Sequence, residues 1–159
     1  MKWSLRKSLT ALMMVLGVGT VLSGCASEPS KPAAPVAAAI APSIAADSLV
    51  GKWGLASYHN EADRARTETA ARAQCNKPFV IGKGQAGGVT MHVADQTEPQ
   101  EMFVKPAEGR NFLGPVGPPG VQQDLEILSF DKGVLVMSWM DPDTASRYGT
   151  MVYARCKTK

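Results

Sequence analysis

The sequence predicts a mainly β domain, an antiparallel sandwich or barrel with one short helix after its first strand. Three observations predict it. Short segments in which apolar and polar residues alternate recur from residue 49 to the C-terminus, the mark of half-buried strands. Turn sequences rich in Gly, Pro and Asp separate them, at 82–88, 114–120, 131–133 and 141–144. One stretch, 61–74, breaks this pattern with charges and alanines and reads as a helix.

Before the domain lies an address. Residues 9–22 form an uncharged apolar run, preceded by Lys2, Arg6 and Lys7. A positive flank, a short apolar run and a small-residue cut site make a secretory signal. At about 1.5 Å per residue the run spans roughly 21 Å, short of the ~30 Å hydrocarbon core of a bilayer. The run closes on Leu22-Ser23-Gly24-Cys25, which resembles the lipobox of bacterial lipoprotein precursors. The resemblance implies cleavage before Cys25, a diacylglycerol thioether on its sulfur and acylation of the new amino group, with palmitate as the expected chain. Ala26 follows the cysteine where inner-membrane retention would use Asp. The resemblance therefore implies the outer membrane, on its periplasmic face or at the cell surface. The organisation expected is a lipoprotein signal peptide over 1–24, a lipidated Cys25 with a tether over 25–47, and a small β domain over 48–159.

Composition supports this division. A chain of 159 residues fits one domain. Lys2, Arg6 and Lys7 account for the whole formal charge of +3, so the rest is neutral. Nucleic acid is not an expected partner, because it would leave a clustered basic footprint. Membrane attachment falls to lipid on Cys25, and two or more acyl chains hold stably where one does not. Cys75 and Cys156 remain, in a chain bound for an oxidising compartment. That context favours a disulfide between them over two buried thiols or a metal site. Closing a loop of roughly 80 residues contributes about 4–5 kcal/mol in the chain-entropy account.

Residues 26–47 are rich in Ala and Pro, and repeated prolines oppose a continuous helix. The stretch reads as a semi-extended tether reaching at most roughly 70 Å at about 3.1 Å per residue. The first strand is expected at 49–56, with Trp53 and Leu55 on one face. Asn60 offers an N-cap for the 61–74 helix, and Glu61 and Asp63 suit its dipole. Its apolar face reads as Ala62, Ala65, Ala70 and Ala73, which suits close packing outside or across one end of a sheet. Further strands are expected at 79–81, 89–93, 100–105, 125–130, 134–140 and 147–156. Residues 131–133 read as a three-residue hairpin loop with Gly133 left-handed. The 114–120 segment reads as an irregular exposed loop, and 141–144 as a turn.

Leu49-Val50-Gly51-Lys52-Trp53 and the late arginine in Tyr153-Ala154-Arg155-Cys156 resemble the Gly-x-Trp signature and terminal arginine of lipocalins and their calycin relatives. The resemblance implies a closed, lipocalin-like β-barrel in which Gly51, Trp53 and Arg155 form the structural signature. First and last strands would then be neighbours, with Arg155 packed on Trp53. In size and address the chain is most similar to the small bacterial inhibitors of secreted metalloproteases, which begin with a like Leu-x-Gly-x-Trp. The resemblance covers the start of the domain and its layout. It departs in the wide spacing of Cys75 and Cys156 and in the charged 61–74 helix.

No catalytic motif is present, so a non-enzymatic protein is expected. His59 reads as a loop residue and His92 as an exposed strand residue. Asp141 and Asp143 read as turn acids without the further oxygens of a calcium loop. The 82–88 segment lacks the full phosphate-loop pattern and reads as a hairpin loop. Met91, Met102, Met137, Met140 and Met151 read as core or sheet-face residues. No metal and no cofactor is expected. The expected function is a lipid-anchored envelope protein whose barrel binds another protein, a protease in the inhibitor reading. The alternatives are a carrier of a small apolar ligand or lipid, and a structural envelope component.

Overall fold

The computed structural model describes residues 44–157. The signal segment, Cys25 and most of the tether lie outside the described residues. Eight antiparallel strands form a closed barrel in simple sequence order. They are β1 (Gly51–Tyr58), β2 (Phe79–Lys83), β3 (Val89–Met91), β4 (Gln100–Ala107), β5 (Arg110–Gly114), β6 (Leu125–Asp131), β7 (Val134–Trp139) and β8 (Thr150–Arg155). The expected choice between sandwich and barrel resolves to the barrel, because β1 pairs with β8 from Trp53↔Arg155 to Tyr58↔Thr150. Closure leaves no open sheet edge to protect.

Alternation along the strands sorts side chains into two layers. One layer fills the barrel with Leu49, Trp53, Ile81, Val89, Met91, Met102, Leu113, Leu125, Leu135, Met137 and Tyr153. The other lies outside β7, β8 and β1, where Val134, Val136, Val152, Ala154 and Tyr58 form a second cluster. Helix α2 (Arg64–Ala73) covers that outer cluster, as expected for a helix packed outside the sheet. Its buried face is Thr67 and Ala71, and Ala62, Ala65, Ala70 and Ala73 are exposed. The face expected from the alanines is therefore wrong. The strand beneath decides the contact: a Cβ on Gly54 would stand 1.8 Å from the Ala71 carbonyl oxygen. Only a backbone without a side chain admits the helix that close.

Two short helices accompany α2. Helix α1 (Ala46–Leu49) straddles the boundary expected between tether and domain, and Leu49, expected to open the first strand, is instead its fully buried last residue. Ile44 and Ala46 also pack on the interior cluster, so the fold begins a few residues before 48. Helix α3 (Pro142–Tyr148) replaces the expected turn and the start of the expected last strand. Asp141 caps it by accepting from the Thr144 backbone N–H at 2.8 Å, with Pro142 in the first turn.

Strand β5 is absent from the sequence expectation. It forms because Glu108 and Gly109 both take positive φ, 50° and 75°, making a two-residue turn after β4. The β6–β7 turn is also two residues, not three: Asp131 pairs with Val134, and Lys132 and Gly133 have φ of 47° and 73°. Cys75 and Cys156 form a disulfide, joining the segment after α2 to the residue after β8.

Candidate functional site

The two ends of the barrel differ. Strand directions place the start of β1, the end of β8 and the β4–β5 and β6–β7 turns at one end. Helix α1 sits there and buries Leu49 in the interior. The indole N–H of Trp53 donates to the Leu49 carbonyl at 2.9 Å. The Arg155 guanidinium lies 4.1 Å from the centre of the Trp53 ring and donates to the Val50 carbonyl at 3.0 Å and to the Ser48 carbonyl. Gly51, at φ of 151°, lets it pass, since a Cβ there would stand 2.6 Å from an Arg155 nitrogen. Gly51, Trp53 and Arg155 thus meet, and what they do is close this end.

The other end is a mouth. Its walls are the β3–β4 loop, the β5–β6 loop, the top of β7 and α3. Between them lies an open cleft of about 530 Å³. Val93, Met102, Pro115 and Trp139 supply its apolar surface, and Gln96, Gln100, Gln122 and Gln123 its amides. Asp141 and Thr144 of α3 complete the rim. Trp139 is half-buried, and its Nε1 is buried without a hydrogen-bond partner.

Two polar assemblies hold the walls. Asp95, in the β3–β4 loop, takes a left-handed conformation with φ of 60°. Arg147 of α3 donates to its carboxylate at 2.6 Å, and the Tyr148 hydroxyl at 2.9 Å. The Arg147 guanidinium, and after it the Tyr148 hydroxyl, hold the Asp95 carboxyl below the usual carboxylate range. The bond to Asp95, and after it burial, raise Tyr148, against a smaller lowering by Arg147. The Thr144 hydroxyl and backbone N–H likewise lower Asp141. On the far wall Asp124 is fully buried and Lys105 reaches it at 2.6 Å. Lys105 also donates to the carbonyls of Pro115 and Pro118 at 3.1 and 3.0 Å, and Gly120 N–H donates to Asp124 at 2.8 Å. One buried ion pair therefore pins the 115–120 loop at three points.

The remaining residues of interest take ordinary places. His59 and His92 are exposed, and His92 follows β3 instead of lying on it. Asp143 is exposed in the first turn of α3. Met91, Met102 and Met137 are buried in the interior, while Met140 and Met151 are half-buried. Of the 82–88 segment, Gly82 and Lys83 belong to β2, and only 84–88 form the hairpin loop, whose Ala86 and Gly88 N–H groups donate to the Glu101 carboxylate at 2.8 and 3.0 Å. The mouth residues escaped sequence reasoning, since they come from separate loops. Only the Gln122-Gln123-Asp124 run, following a Pro/Gly loop, marked the region.

No protein-family model matches the chain, no curated protein sequence matches it, and no solved structure matches it.

Proposed function

We propose that this chain is a lipid-anchored envelope protein whose barrel is a non-catalytic binding module. Cys25 anchors it in the outer membrane, the Ala/Pro tether spaces the domain from the bilayer, and the open mouth engages another protein. The observation that carries the reading is the polarity of the barrel. Residues 44–49 lead into the barrel at its closed end through α1, and the cleft stands at the opposite end. The side chains filling the barrel leave the mouth as the place for a partner. A carried apolar ligand would meet an amide-rich rim there, which favours protein binding over lipid carriage. Inhibition of a secreted metalloprotease is the finer form of this reading, motivated by the Leu-x-Gly-x-Trp start at Leu49.

Two measurements test it. Membrane fractionation of wild type and Cys25→Ser is expected to release the variant; unchanged membrane retention counts against the anchor. Photo-crosslinkers placed at Gln122 and at Lys77 compare the mouth with the surface near the disulfide. Crosslinks to an envelope protein from Gln122 alone are expected, and equal or absent crosslinks would overturn the assignment of the mouth. Titration against secreted metalloproteases decides the inhibitor form.

A further inference from the structure

We infer that the Cys75–Cys156 disulfide is an exchangeable bond, and that the cleft around it takes small anionic thiols. The cleft lies at the closed end, between the start of β1, the segment after α2 and the end of β8. Its volume is about 880 Å³, and both cysteines line it. Neither is sealed in the core, since each is half-buried. Exchange requires that access, because a thiolate must reach one sulfur of the bond.

Charge sets the class of thiol. Lys52, Arg155 and Lys157 line the cleft, and no Asp or Glu among the described residues does. Pairing along the seam continues one step past Trp53↔Arg155, where the Cys156 N–H donates to the Lys52 carbonyl at 2.9 Å. Lys52 therefore stands opposite Cys156, and side chains so placed share a face of the sheet. Lys157 follows Cys156 directly. Lys52 and Lys157 are exposed and make no ion pair among the described residues. Arg155 donates to the Val50 and Ser48 carbonyls, so no carboxylate offsets its charge either. Three uncompensated cations draw an anion into the cleft. They also favour the cysteine thiolate that exchange releases there.

The step balances with the thiol alone. The incoming thiol gives its proton to water, and its sulfur attacks one sulfur of the disulfide. A new S–S bond forms, the Cys75–Cys156 bond breaks, and the bonding pair leaves on the other cysteine as a thiolate. Return attack by that thiolate expels the small thiol and restores the disulfide.

The test uses full-length protein in neutral detergent micelles at low salt, with three thiols of like size: mercaptoethanesulfonate, mercaptoethanol and cysteamine. Alkylation traps the released cysteine, and intact mass reads the mixed disulfide. Each rate is divided by that thiolate's rate on a small uncharged disulfide, which removes differences in nucleophilicity. The folded protein is expected to form the adduct, with the sulfonate favoured over cysteamine by about tenfold. That ratio should fall toward parity in ~0.5 M salt, which screens the charges. Lys52→Glu/Lys157→Glu is expected to reverse the preference at an unchanged melting temperature, since both side chains are exposed. No adduct from the folded protein with any thiol overturns the inference. Equal corrected rates for the three thiols overturn the selection by charge, as does a wild-type preference in the Glu pair. A rate that climbs with urea in step with the unfolded fraction would mean that exchange needs an opened fold, and overturns the site.

Discussion

Arg155 and Trp53 face each other across the β1–β8 seam, and the guanidinium lies 4.1 Å from the ring centre. The same guanidinium donates to the Val50 and Ser48 carbonyls, so one side chain ties the last strand, the first strand and α1. A cation over an indole contributes about 0.5–2 kcal/mol, and hydrogen bonds from a charged donor about 1.5–3. Arg155→Ala is expected to lose about 2–4 kcal/mol in urea denaturation followed by circular dichroism. Arg155→Lys keeps the charge but not the planar fork, and is expected to recover less than half of that loss. Full recovery by lysine would show that charge alone matters at this seam.

Gly54 is the point where α2 meets the barrel. An added Cβ would stand 1.8 Å from the Ala71 carbonyl oxygen, a backbone atom that cannot rotate away. Gly54→Val must lift α2 off the outer apolar cluster or distort β1. A loss of about 1–3 kcal/mol is expected, the usual cost of overpacking, with faster hydrogen exchange confined to 64–76. Wild-type stability would mean that α2 packs more loosely than this contact requires. The disulfide at Cys75 keeps the end of α2 near β8, so reduction is expected to deepen the effect.

The closed end was readable because its parts are local or periodic. Trp53 and Leu55 share a face by strand alternation, and Arg155 is positioned by closure of the sheet. The elements missed in the sequence are those decided by another segment. Thr67 and Ala71 form the buried face of α2 because Gly54 lies beneath them, which no periodicity within 61–74 reveals. Strand β5 hides because Pro106 and the Glu108-Gly109 turn weaken the hairpin signal. Helix α3 has only seven residues, too few to set a helical period, and its Asp-Pro start also suits a turn. The mouth is harder still: Gln96, Gln100 and Gln122 come together only once the loops are placed.

Lys105 and Asp124 make the buried pair that holds the 115–120 loop. Their side chains are 11% and 0% exposed, so neither charge can turn to water for compensation. Removing one partner from a buried pair costs about 3–5 kcal/mol, because the other charge is left unmatched. Lys105→Met is expected to fall in that range, and Lys105→Met/Asp124→Leu to be the more stable of the two. The double variant frees the loop as well, since Pro115, Pro118 and Gly120 lose their partners. Faster exchange over 115–123 at restored stability would separate loop anchoring from core stability. A double variant no more stable than the single would show that the pair's hydrogen bonds, not its unmatched charge, set the cost.

All three tyrosines of the chain resist ionisation in the fold. Burial, and then the Glu61 carboxylate that accepts its hydroxyl proton, push Tyr58 up to about 12. Burial raises Tyr153, and the bond to Asp95 raises Tyr148. An unfolded chain titrates them near the ordinary ~10. Each raised value means that the unfolded state loses its proton first. The stabilisation is therefore fully present below about pH 10 and is lost as pH rises through the folded values, near 12 for Tyr58. The tyrosinate absorbance of the native protein is expected to stay flat through pH ~10, where a urea-unfolded sample is half titrated. It should then rise together with loss of the β-sheet circular dichroism signal. Tyr58→Phe removes one of the three linked protons, so its stability should decline less steeply above pH ~10. Tyrosinate appearing near pH ~10 with the sheet signal intact would show that the hydroxyls are free to ionise within the folded barrel.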